Sequence, residues 1–152
     1  MPEQLGAAFG VDLSAAASFA DWQDDVIRYD DIDMLNHVTH PAYVYLFQNG
    51  RLQFWQRRGA VPDLVAARIT VDYLHSLTYP GTARTGTRIL GFGRSSITLG
   101  QGMFDKDGRC AATLLAISVL TDRATGKSRP WPEELKQRML NPQMPESETK
   151  GP

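Results

Sequence analysis

Between Tyr29 and Pro41 the chain reads YDDIDMLNHVTHP, which crowds Asp31, Asp33, Asn36, His37 and His40 into one short segment. A carboxylate in such a place can attack an acyl carbon or take a proton from water, and an imidazole can hold or move a proton near neutral pH. Short polar side chains also favour turns and caps, so the segment is expected to be a loop, and a turn or helix-capping role is the ordinary alternative for Asp33. Pro41 lacks an N–H and suits the first turn of a helix. The free N–H groups around His40 and Ala42, with the helix dipole behind them, could then donate to a developing oxyanion.

The elements that must hold these residues follow from spacing. Ala42 to Arg58 carries Tyr45, Leu46, Asn49, Leu52, Gln53 and Gln56 at three- and four-residue steps, which predicts one long helix ending near Gly59. At 1.5 Å per residue it spans ~27 Å, enough to cross a small sheet. Gly50 inside it costs ~1 kcal/mol relative to Ala and implies the close approach of another backbone or a ligand, with a dimer contact as the plainer reading. Before the helix, Trp22 to Asp30 alternates around Val26 and Ile27 and reads as a short strand. After it, Leu64 to Leu74, Ala83 to Phe92, Ser95 to Phe104 and Arg109 to Thr121 read as consecutive antiparallel strands. They are divided at Tyr79-Pro80-Gly81, at Gly93-Arg94 and at the hairpin turn Asp105-Lys106-Asp107-Gly108. A short helix starts after Trp131-Pro132.

The expected class is α+β: an antiparallel sheet of about five strands wrapped around one long central helix. One domain over residues 22–140 is expected, with a flexible extension over 1–21 and a disordered polar tail over 141–152. The 152 residues, 42% hydrophobic and 22% charged, leave no room for a second domain. A net charge of -1 with scattered basic residues gives no footprint for nucleic acid. The single cysteine, Cys110, excludes an intrachain disulfide and points to a reduced, cytoplasmic setting. The first twenty residues have no Lys or Arg ahead of their mildly apolar run, unlike a secretory signal, and no apolar run reaches the ~18 residues of a spanning helix, so no membrane partner is expected.

The segment RYDDIDMLNHVTHPAYVYLFQNGRLQFW resembles the signature of the 4-hydroxybenzoyl-CoA thioesterase-like family, whose pattern is aromatic, x, Asp, x, Asp, then Gly-His-Val-Asn-Asn, then a helix. Gly-Arg-Ser-Ser at 93–96 and the later basic-Pro-x-Pro extend the resemblance over about residues 24 to 140. It implies a hotdog fold, a homodimer or homotetramer, no cofactor, and hydrolysis of an acyl thioester of coenzyme A, with acyl carrier protein as another possible donor. The acyl group, aromatic or short to medium aliphatic, is left open.

On this resemblance Asp33 matches the catalytic aspartate, as nucleophile or as base, and the backbone N–H of His40 matches the oxyanion donor. His37 holds the loop or meets substrate. Asn36 stands where the family has Gly and can take the left-handed conformation that Gly supplies. Asn36 in the loop, Tyr43 and Asn49 on the helix, and Arg94 and Ser95 at a strand turn near coenzyme A, are the candidate substrate contacts; Arg can hold phosphate through paired hydrogen bonds. Thr39 replaces a usual Asn, and Gln48-Asn49 replaces a usual pair of helix carboxylates, which leaves Asp33 as the well-placed acid. Phe54 and Trp55 suit either an acyl lining or the core. A metal site from Asp31, Asp33, His37 and His40 is chemically conceivable, but no further ligand cluster completes a shell. A non-catalytic protein that binds acyl-CoA or acyl carrier protein is the alternative function.

Overall fold

The computed structural model describes residues 3–141. Its elements are β1 (Asp21–Val26), α1 (His40–Arg57), β2 (Leu64–Tyr73), β3 (Thr82–Phe92), β4 (Ser96–Phe104), β5 (Cys110–Leu120) and α2 (Glu133–Leu140). The five strands form one sheet in the order β1-β3-β4-β5-β2, every neighbouring pair antiparallel. Two-residue periodicity turns Thr85, Thr87, Leu99, Gln101, Met103 and Leu114 inward. They meet the buried Leu46, Phe47, Phe54 and Trp55 of α1. This is the hotdog arrangement, a sheet curled round a long helix.

β3, β4 and β5 are consecutive hairpins, as the turn residues predict, but β2 departs from the expected run. It pairs with β5, from Leu64↔Leu120 to Tyr73↔Ala112, and so forms the far edge. The linker after Tyr73 is too long for a hairpin and crosses the sheet end, anchored by the buried Leu77, before β3 begins. β1 is also shorter than expected, because the chain turns at Tyr29–Asp31.

A polar network sits where α1 crosses the sheet. Gln101 Nε2 donates to the Phe47 carbonyl (3.0 Å) and to Thr87 Oγ1 (2.9 Å), while Arg51 Nη1 donates to Gln101 Oε1 (2.7 Å). Burial pushes the Arg51 guanidinium down to about 10. Gly50 lies at the closest approach: a Cβ there would stand 2.9 Å from Thr85 Cγ2. The close neighbour that the helix glycine implied is thus the chain's own sheet. Beyond it, Arg58 donates to the Met139 carbonyl (2.7 Å) and to Asp21 (2.9 Å), tying the end of α1 to α2 and to β1.

Of the extension expected to be flexible over residues 1–21, the part around Leu13 and Phe19 packs on the outer face of the sheet. Leu13 (1% exposed) and Phe19 (7%) form a second apolar cluster with Phe104. They fit because Gly86, Gly100 and Gly102 line that face: a Cβ on Gly102 would come within 2.4 Å of the Leu13 carbonyl oxygen, and one on Gly86 within 2.4 Å of Phe19. Cys110 borders this cluster, and burial pushes its thiol up to about 11, in keeping with a small packing residue. The tail expected to be disordered lies, except for Asn141, outside the described residues. Among the described residues no helix is long and apolar enough to cross a membrane.

Gly50→Ala should lower stability by about 1 kcal/mol despite the better helix propensity of Ala, because the overpacking cost of ~1–3 kcal/mol exceeds the ~1 kcal/mol gain. Urea unfolding measures this, and Thr85→Ser in the same background should recover part of the loss by removing the clashing methyl. Gly102→Val should lift the N-terminal segment from the sheet, read as new protease cleavage before Asp21 with the rest of the chain intact.

Candidate active site

Beyond β1, Ile27 is buried (1% exposed) and its N–H bonds the Gly81 carbonyl (2.9 Å), which fixes the start of the Asp-rich loop. Asp31 follows, 2% exposed. Its carboxylate accepts the Arg28 N–H (2.7 Å) and the Tyr45 hydroxyl of α1 (3.0 Å), and its carbonyl accepts the Thr39 N–H (2.9 Å). Burial alone would push this carboxyl up; the Arg28 N–H, the Tyr45 hydroxyl and the Arg28 guanidinium together outweigh it and hold it below the usual range.

Inside this frame Ile32 and Val38 bridge, and Asp33 closes the loop between them. The Asp33 N–H donates to the His37 carbonyl (2.9 Å), while Asp33 Oδ1 accepts the N–H groups of Leu35 (2.9 Å) and His37 (3.0 Å). Among the described residues Oδ2 has no partner. The His37 N–H, helped by that of Leu35, holds the carboxyl below the usual carboxylate range, so it is ionised at neutral pH. Asn36 adopts φ 59, the left-handed conformation expected where relatives carry Gly. Its side chain clamps the backbone of Tyr79, donating to the carbonyl and accepting the N–H, each at 3.0 Å.

A cavity of about 490 Å³ opens beside this loop, lined by Asp33, His37, Thr39, His40, Tyr43, Tyr73, His75 and Ser76. All 3 histidines of the chain line it. The first residue of α1 is His40, and Thr39 before it makes no side-chain cap, so the first N–H groups of the helix have neither an intrahelical nor a capping partner. The His40 ring stacks on Tyr73 at 4.6 Å. Tyr43 is buried, and its hydroxyl is occupied, accepting the Leu77 N–H (3.0 Å) and donating to the His75 carbonyl (3.3 Å). Only its ring remains to line the cavity.

Of the sequence candidates, Asp33, His37, His40 and Tyr43 come together here, while Asn36 sits behind the loop. Asn49 is ~14 Å along the helix from His40 and donates to Asp25 (2.8 Å). The Asp25 carboxyl is pushed up by burial, more than the Asn49 hydrogen bond lowers it. Arg94 and Ser95 lie at the opposite end of the sheet, where their carbonyls accept the N–H groups of Trp131 (3.0 Å) and Leu120 (2.7 Å). Phe54 and Trp55 belong to the core. Among the described residues no three His, Cys, Asp or Glu side chains are grouped to hold a metal. Sequence reasoning missed Tyr73, His75 and Ser76, which the linker after β2 brings to the cavity. It also read Asp105 only as a turn residue. Asp105 Oδ1 does close the hairpin through the N–H groups of Asp107 and Arg109 (2.9 Å each), but Oδ2 meets His75 Nε2 at 3.2 Å. A histidine just past a strand, in a chain with few of them, was the available signal.

Comparison with known proteins bears on the family and the fold. The model of the thioesterase-like superfamily matches residues 27–139. No curated protein sequence matches the chain. Among solved structures, a Thermus thermophilus thioesterase complexed with coenzyme A and Zn is 27% identical, covering 81% of this chain and 99% of its own, with a TM-score of 0.74. A DHNA-CoA thioesterase from Staphylococcus aureus is 17% identical over 79% of this chain and 88% of its own, TM-score 0.71. A probable thioesterase from Escherichia coli is 16% identical over 79% and 96%, TM-score 0.69. With the family match covering most of the chain, and the Asp-rich loop, the helix start and the cavity assembled inside it, this protein belongs to the thioesterase-like superfamily.

Proposed function

We propose that the protein hydrolyses acyl-CoA thioesters and that Asp33 attacks the thioester carbon. The observation that carries this reading is the Asp33 carboxylate at the cavity, with Oδ1 fixed by two N–H groups and Oδ2 unengaged. A carboxylate held ionised well below neutral pH is a weak base, which favours attack by Oδ2 over proton abstraction from water. The product of attack is an acyl-Asp33 anhydride and coenzyme A thiolate. As the tetrahedral oxyanion forms, the His40 N–H at the start of α1 donates to it, with the helix dipole adding to the stabilisation. His37 and Tyr73 form the walls against which the thioester lies.

The active unit in this reading is a homodimer joined through β2. That strand is bonded on one side only, and Val65 (57% exposed) and Tyr73 (44%) stand open along it. Arg68 and Asp72 are spaced symmetrically about Thr70, so a two-fold axis there sets opposite charges face to face. Arg94 and Ser95 lie ~30 Å along the strands from the Asp33 loop of their own protomer. Antiparallel pairing of two β2 edges brings that end of one protomer toward the Asp33 cavity of the other, where the Arg94 guanidinium can hold a coenzyme A phosphate. The acyl group, and carrier protein as a substitute for coenzyme A, are decided by assay.

Thiol release from short, long and aromatic acyl-CoAs should be seen with the wild type and should fall at least about a hundredfold in Asp33→Asn at equal folded concentration. Silence of the wild type across the panel, with tight acyl-CoA binding, would instead make this a binding protein. Arg94→Ala should raise KM for acyl-CoA about tenfold with kcat little changed, a pattern of lost ground-state binding. In analytical ultracentrifugation Arg68→Asp should shift the dimer toward monomer, and the exchange Arg68→Asp with Asp72→Arg should restore it; an unaltered dimer in the single variant would rule out this edge.

A further inference from the structure

An acyl-Asp33 anhydride has to be opened by water, and Asp33 is acylated at that moment and cannot serve as the base. One imidazole that lines the cavity is held by a carboxylate. His75 Nε2 lies 3.2 Å from Asp105 Oδ2, with side chains 16% and 24% exposed. Asp105 is itself immobilised, because its other oxygen accepts two hairpin N–H groups. The backbone around the ring is fixed as well: the His75 N–H bonds the Ala111 carbonyl (3.2 Å), and its carbonyl accepts the Tyr43 hydroxyl. With Nε2–H donating to the carboxylate, Nδ1 carries the lone pair, and it has no partner among the described residues. A buried or half-buried carboxylate behind an imidazole sets its tautomer and stabilises the imidazolium that forms when it takes a proton.

Resting on the hydrolase reading above, we propose that His75, held by Asp105, is the base for the second half of the reaction. The water oxygen bonds to the acyl carbon while one water proton passes to His75 Nδ1. The bond from the acyl carbon to Asp33 then breaks, releasing the carboxylic acid and returning the Asp33 carboxylate. The departed coenzyme A thiolate takes its proton from solvent and the imidazolium returns one to solvent, so the sum is thioester and water to acid and thiol. Asp105 is a positioning residue in this scheme. Asp105 on the β4–β5 hairpin meets the ring, Lys106 lies beside Asp105, and the titratable groups that line the same cavity are Tyr43 on α1, Tyr73 on β2, Asp33, His37 and His40. Burial, the strongest single influence on Asp105, pushes its carboxyl up, but the Arg109 N–H, the His75 ring and the Asp107 N–H together hold it below the usual range, which keeps it an anion behind the imidazole.

The test uses the full chain and the acyl-CoA that the wild type turns over best. His75→Gln should release about one thiol per site in a rapid burst and then stall, with steady-state kcat down ~10²–10⁴-fold and KM lowered in parallel, because kcat/KM still reports the unaltered acylation step. In this variant the acyl-enzyme should accumulate, seen by intact mass spectrometry as the protein plus one acyl group. Asp105→Asn preserves the oxygen that closes the hairpin, and it should show the same burst with a smaller loss of kcat, because the imidazole is less firmly oriented. Circular dichroism and thermal melting establish that each variant is folded; if His75→Gln is not, the burst in Asp105→Asn decides. A His75→Gln enzyme with wild-type kcat and no accumulated acyl-enzyme, or an Asp105→Asn enzyme without a burst, overturns the assignment of His75 while leaving the hydrolase intact. A wild type that releases no thiol, or an Asp33→Asn enzyme as fast as the wild type, overturns the hydrolase reading itself.

Discussion

A buried carboxylate, Asp31, holds the working end of this molecule together. Taken out of water, it must be fully hydrogen-bonded or it destabilises the fold, and its partners come from three places. The Arg28 N–H comes from the turn after β1, the Tyr45 hydroxyl from the second turn of α1, and its own carbonyl reaches the N-cap residue Thr39. One residue, through its carboxylate and its carbonyl, therefore sets where the loop leaves the sheet, where the helix begins and how the two are oriented. Asp33 and the His40 N–H, on opposite sides of that loop, inherit their relative position from it. The two aspartates of the motif thus divide the work: the inner one is buried and consumed by structure, while the outer one spends a single oxygen on the loop and keeps the other free.

The same logic recurs across the cavity. Asp105 closes a hairpin with one oxygen and orients His75 with the other. In each case a turn aspartate, a residue type whose presence in a loop needs no further explanation, gains a second use from what the topology brings near it. The difference lies in burial: the Asp31 carboxylate is enclosed and braces the loop and helix, whereas Asp33 at the cavity has an oxygen without a partner among the described residues.

What was legible in the amino-acid order was what depends on neighbours in the chain. Pro41 and the three- and four-residue steps up to Arg58 marked α1, Asp105 to Gly108 marked its hairpin, and the need for a left-handed residue at 36 was met by Asn at φ 59. The motif around Asp33 was readable because its spacing is local. What was hidden depends on distance. Leu13 and Phe19 stand isolated among alanines, and only the three glycines on β3 and β4 make a seat for them. His75 and Asp105 are thirty positions apart and meet because β2 lies beside β5 instead of β3. Arg94 and Asn49 matched a pattern in sequence yet sit far from Asp33, since periodicity says which face a residue is on and nothing about which end of the sheet it reaches.

The strand order also governs how this chain can come into being. As residues leave the ribosome in sequence, β2 emerges long before β5, the strand it pairs with, and the segment around Leu13 and Phe19 emerges before any of the glycines that seat it. Helix α1 can form early from local contacts, but loop-closure entropy is recovered only when Cys110–Leu120 arrives. The nascent chain thus carries an unpaired, partly apolar strand for much of its synthesis.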